Sequence, residues 1–155
     1  MTELRRYQEQ FERMKRWYER IRKINQGKPH NFSSDHYHDE VYAFFLNCYH
    51  LKDWIQNDDT VELPKEKVED FINQNECMKV CADICNSIKH LKRESDRSGK
   101  DPEFGGRKFF LNLGGPKPII KVKFPVMTKD GTIDVFKLAS ECIQKWEEFI
   151  KDNIS

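Results

Sequence analysis

The sequence predicts a mainly α protein: a four-helix up-down bundle with a β-hairpin or small meander inserted between the third and fourth helices. Apolar residues recur every three or four positions in four long stretches, which is the mark of amphipathic helices. Between the third and fourth stretches the period changes, with Ile120, Val122, Phe124 and Val126 alternating as a strand does. Gly114-Gly115-Pro116 sits where a hairpin would turn.

The first helix is expected over 3–26. Leu4, Tyr7, Phe11, Met14, Tyr18 and Ile21 form its stripe, and Gly27 and Pro29 stop it. So narrow a stripe suits a helix on the outside of a bundle or against a partner. Ser33 or Ser34 can cap the second helix, with Asp35, Asp39 and Glu40 near its positive end. That helix runs to about Ile55. Val41, Phe44, Phe45, Cys48, Leu51 and Ile55 make its main face, and Ala43, Leu46 and Trp54 make a weaker one around His50. A helix apolar on two sides is central or lies at an interface.

Asn57-Asp-Asp-Thr reads as a turn. Pro64 starts the third helix, which runs to about Lys92 with a break near Asn73–Asn75. Residues 93–107 are a polar loop. Lys108–Leu113 and Ile119–Met127 read as strands, Lys129-Asp130-Gly131 as a turn, and Thr132–Ile133 as a short third strand. Asp134 caps the last helix, which buries Val135, Leu138, Ala139, Cys142, Ile143, Trp146, Phe149 and Ile150. There are no repeats, and residues 1–155 read as one domain with its insertion at about 107–133.

The totals exclude some functions. There are 27 basic and 26 acidic side chains, so no global field draws the chain to nucleic acid or membrane. No apolar run is long enough to span a bilayer and no signal core opens the sequence, so a cytoplasmic protein is expected. The five cysteines form neither a CxxC pair nor a disulfide framework. Cys77, Cys81 and Cys85 recur every four residues; i, i+4 ligands can meet one metal, but small buried hydrophobes are the expected role. No cofactor is therefore expected.

The segment from Cys77 to His90 is the most informative. At about 100° per residue its two sides separate. Cys77, Cys81, Ile84, Cys85, Ile88 and Leu91 fall on one side, and Asp83, Asn86 and His90 form a line on the other. A merely wet face would carry more Lys and Glu. Cations gather beyond it at Lys92 and Arg93, where the helix dipole favours a protonated imidazole.

On these residues, Asn86-Ser-Ile-Lys-His90 resembles the signature of HEPN domains. These are small helical bundles common in prokaryotic toxins and phage-defence systems, many of them metal-independent ribonucleases. The signature is an Arg, commonly followed by a polar residue such as Asn, with a His four to six residues beyond the Arg. The resemblance puts His90 at the catalytic position and Asn86 at the polar one. It covers roughly residues 35–95, and the Arg position falls on Cys85, with Lys89 and Lys92 the nearest cations. The implied chemistry is RNA cleavage with His90 as general acid or base, Asn86 orienting it, Asp83 and Lys89 beside them, and Asn47, His50 or Asp53 from the second helix completing the site. Such domains usually dimerise, and the weaker face of the second helix suits a homodimer. The expected function is thus a HEPN-like defence or toxin–antitoxin module, a ribonuclease or an inactive relative. The alternative is a non-catalytic homodimeric scaffold that binds a protein partner.

Two further groups are weaker. His36 and His38 with Asp35, Asp39 and Glu40 carry metal-ligating atoms, but on a helix i and i+2 point about 200° apart. Lys117, Lys121 and Lys123, with Arg107 and Lys108, interleave with Phe109, Phe110 and Phe124. This could suit single-stranded nucleic acid; the commoner arrangement is charge outside and aromatics packed inside.

Overall fold

A computed structural model describes residues 6–29, 34–90, 96–106, 108–112, 114–116 and 119–154, without the side chains of Ser34, Ile88, Lys89, His90, Lys108, Phe109 and Leu111. Its helices are α1 (Tyr7–Gln26), α2 (Ser34–Gln56), α3 (Lys65–Gln74), α4 (Glu76–His90) and α5 (Val135–Asn153). Its strands are β1 (Lys28–Pro29), β2 (Glu103–Phe104), β3 (Lys108–Asn112), β4 (Ile119–Lys123), β5 (Pro125–Thr128) and β6 (Gly131–Asp134). The protein is mainly helical, as expected, but with five helices among the described residues rather than four.

The fifth arises at Asn75, whose extended backbone separates α3 from α4. The Asn75 side-chain amide donates to the Phe71 carbonyl at 2.8 Å, while its own carbonyl accepts from Met78 at 3.0 Å and Lys79 at 3.1 Å. Asn competes well for such local bonds, so it ends one helix and begins the next. The chain keeps its heading across the break. Phe71 packs on Phe149 and Trp146, whereas Cys77 lies against Cys142, one step back along α5.

The expected strand at 119–127 is also divided. β4 belongs to the sheet β1-β4-β3 and β5 to the sheet β2-β5-β6, every pairing being antiparallel. Phe124 lies between them, and its carbonyl accepts from Val135 at 2.9 Å. The alternation survives the change of partner: Ile120, Val122, Phe124 and Val126 are all buried. A single inward face thus runs across both sheets. His38 of α2 ties them down, stacked 5.6 Å from Phe124 and edge-on 5.3 Å from Phe104.

Helix ends are set by local chemistry, except at the start of α1. Asp134 accepts from the Lys137 amide at 3.1 Å, the expected cap of α5. α1 has no cap of its own; Asp58, from the turn after α2, accepts from the Tyr7 amide at 2.8 Å. Gly27 ends α1 at φ 109°, and a Cβ there would meet Ile119 and Lys121 at 3.2 Å. The main face of α2 is buried as expected, together with Tyr37. Among the described residues no helix is long and apolar enough to cross a membrane.

Candidate functional site

The polar line on α4 is not the outward face that its sequence suggests. Asp83 is fully buried. Its carboxylate accepts from the Arg97 amide at 2.8 Å, the Ser98 amide at 3.0 Å and the Ser98 hydroxyl at 2.6 Å. Asp96 in turn accepts from the amides of Gly99 and Asp101, both at 2.6 Å. Burial pushes the Asp83 carboxyl above the usual carboxylate range, despite the lowering bonds from Ser98 and Arg97. At Asp96 burial acts in the same direction but is outweighed by hydrogen bonds, first from Asp83. The opposite directions make Asp83 the weaker acid of the two. The arrangement folds loop 96–101 back onto α4, and Asp83 serves that loop.

Asn86 is half-buried, one turn further on. His90 ends α4; its side chain and that of Lys89 lie outside the described residues. The position that would hold the HEPN Arg is Cys85, buried on the core face.

The second helix does not bring its polar groups to α4's end. His50 and Asp53 are exposed. Lys52 pairs with Glu69 at 2.9 Å, and the Cys81 thiol donates to the Phe45 carbonyl at 3.7 Å. Going from α3 into α4 therefore means going back along α2. His50 lies five residues past Phe45 one way, and His90 nine past Cys81 the other. At about 1.5 Å per residue, their backbones stand on the order of 20 Å apart. Asn47 is held by Gln10 of α1, whose side-chain amide donates to the Asn47 carbonyl at 2.9 Å. Trp54 lies under the Arg13 guanidinium, 5.6 Å away. α1 thus covers part of the weaker α2 face that suggested a homodimer. Asp53, Trp54, Arg6, Asn57 and Asp58 line an open cleft of about 400 Å³ at this far end.

The other face of α4 gathers more chemistry than its spacing implied. Cys48 of α2, Cys81 of α4 and Cys142 of α5 are fully buried, with sulfurs all within 4.8 Å of one another. The Cys142 thiol also donates to the Cys77 carbonyl at 3.4 Å, and the Trp146 indole donates to the Cys48 carbonyl at 3.1 Å. Burial opposes charge on Cys48, but hydrogen bonds from Cys142, Cys81 and Trp146 outweigh it and hold that thiol well below the ordinary range. Cys142 is pushed well above, chiefly by its bond to Cys48. Cys81 also rises, its lowering contact with Cys142 being overcome by Cys48 and burial. The sequence offered only Cys77, Cys81 and Cys85. Cys48 and Cys142 each stood alone on an apolar stripe, so no pattern within one helix could join them.

His36 and His38 do lie on a helix and diverge, as expected. His36 meets Glu40 at 3.3 Å, while His38 stacks among Tyr42, Phe104 and Phe124. Phe124, between the two sheets, is packed, as the alternation predicts, but Phe110 of the first sheet is 55% exposed. It pairs in register with exposed Lys121, and with Asn112 and Ile119 the two line a shallow cleft of about 280 Å³. Lys123 on the same face is bonded to Asn25 of α1. No family model, no curated protein and no solved structure matches this chain.

Proposed function

We propose that this protein is a non-catalytic, HEPN-like module of a prokaryotic defence or toxin–antitoxin type that contacts single-stranded RNA without cleaving it. In this reading α3 and α4 together are the third, bent member of a four-helix up-down bundle. The observation that carries the absence of catalysis is Cys85. It occupies the place of the Arg that would hold phosphate charge, and it is only 3% exposed. A buried thiol presents no cation to a phosphate. The contact surface is the outward face of β3–β4, where half-exposed Phe110 offers a stacking platform beside the Lys121 ammonium. Aromatic stacking plus a nearby cation is how sequence-tolerant single-strand binders work.

A catalytic reading stays in view because Asn86 and His90 lie one turn apart on an α-helix. One experiment separates the two. Pooled RNA is incubated with the wild type, with His90→Ala and with Phe110→Ala. The proposal expects no cleavage by any of them, and RNA binding that falls about tenfold or more in Phe110→Ala, a loss of about 1–3 kcal/mol for one stacked base. Cleavage by the wild type that His90→Ala abolishes, at unchanged thermal stability, replaces the proposal with a ribonuclease. Absence of RNA binding by the wild type removes the RNA assignment.

A further inference from the structure

We propose that Cys48, Cys81 and Cys142 form an all-sulfur binding site for a soft closed-shell metal ion, Zn²⁺ or Cu⁺, in the helical core. The three sulfurs come from three different helices and all lie within 4.8 Å of one another. A metal–thiolate bond is about 2.3 Å, so three sulfurs around one ion stand roughly 4 Å apart. The closing movement needed is therefore less than about 1 Å. Among the described residues no other group of three or more His, Cys, Asp or Glu converges this closely.

The donor set selects the ligand. Thiolates favour Zn²⁺ and Cu⁺, whereas Ca²⁺ and Mg²⁺ require oxygen. Cys77 stands at the edge of the triad, one turn before Cys81 and in contact with Cys142 through its carbonyl. It is the fourth sulfur that tetrahedral Zn²⁺ would recruit; Cu⁺ is satisfied by three. Each thiol releases its proton to solvent as its metal–sulfur bond forms, so no oxidant or reductant takes part. All three residues are fully buried. The ion therefore enters while the helices are apart, and binding is linked to folding. Were the cysteines merely small core hydrophobes, none of this metal dependence would exist.

The test uses the full chain, reduced and without oxygen. It is unfolded, then refolded with Zn²⁺, with Co²⁺ as the spectroscopic stand-in for Zn²⁺, with Cu⁺, or with chelator alone. Bound metal per chain and the thermal midpoint are measured. The proposal expects one ion per chain, a thiolate-to-metal absorption band and a raised midpoint. Cys48→Ala, Cys81→Ala and Cys142→Ala should each lose affinity by more than about tenfold, while Cys85→Ala keeps it. Weakening of Zn²⁺ but not Cu⁺ in Cys77→Ala identifies the zinc form. A wild type that refolds fully with no bound metal and the same midpoint in every arm overturns the proposal. So does metal uptake that the three substitutions leave unchanged. If a triad variant fails to fold, the wild-type arms alone decide.

Discussion

The two faces of α4 exchange the roles their sequences suggest. Asp83, Asn86 and His90 look like a working line, yet Asp83 is buried and spends its oxygens on a loop. The cysteine face looks like plain core, yet it meets two further cysteines from α2 and α5. A helix's own periodicity tells which side is polar and which apolar. What another segment brings to either side depends on tertiary contacts.

The largest effect expected lies on the cysteine face. Trp146 is fully buried, packs on Phe71 and Phe149, and supplies the donor to the Cys48 carbonyl. Trp146→Ala should cost about 3–5 kcal/mol in urea denaturation. A loss under about 1 kcal/mol would mean that this wall does not hold the triad together.

Next comes the polar face. Asp83→Ala strands the Arg97 and Ser98 amides and the Ser98 hydroxyl, and should cost about 1–3 kcal/mol. Asn86→Ala, one turn away and half-buried, should stay within about 0.5 kcal/mol. Equal losses at the two sites would erase the distinction drawn between them.

The smallest effect is in acid. At Glu69 burial favours the neutral acid, but hydrogen bonds to Lys52 and Arg97 outweigh it and hold the carboxyl below the usual range. A depressed carboxyl stabilises the fold at pH values above the ordinary carboxylate range, and that contribution is lost as pH falls through the depressed value. Asp83, being raised, acts with the opposite sign. Its contribution is complete below the ordinary carboxylate range and is lost as pH rises through the raised value. Glu69→Gln should therefore flatten the acid limb of the stability curve, and its half-exposed position keeps the effect small. An unchanged acid limb would show that the pair with Lys52 adds nothing.

Much of the helical layout was legible because it is local. Gly27 ending α1, Asp134 capping α5 and the α2 stripe from Val41 to Ile55 each follow from residues within a few positions. The break at Asn75 was legible for the same reason. The division of residues 119–127 was not, since Phe124 keeps the alternation and only the pairing partners change. Neither was the burial of Asp83, because the amides that satisfy it lie 14 and 15 residues away in a polar loop. The cysteine triad spans residues 48 to 142 and has no signature at any fixed spacing. Phe110 belongs to an alternating strand, and nothing in that pattern shows that its own side would lack a cover.

Asp83 ties a loop to α4 rather than standing poised for chemistry. Hydrogen exchange at the Arg97 and Ser98 amides tests this most directly. Slow exchange in the wild type, becoming fast in Asp83→Ala while the α5 amides stay protected, is the predicted result. Fast exchange at both amides in the wild type would contradict it, returning Asp83 to the solvent-facing line from which it has been removed.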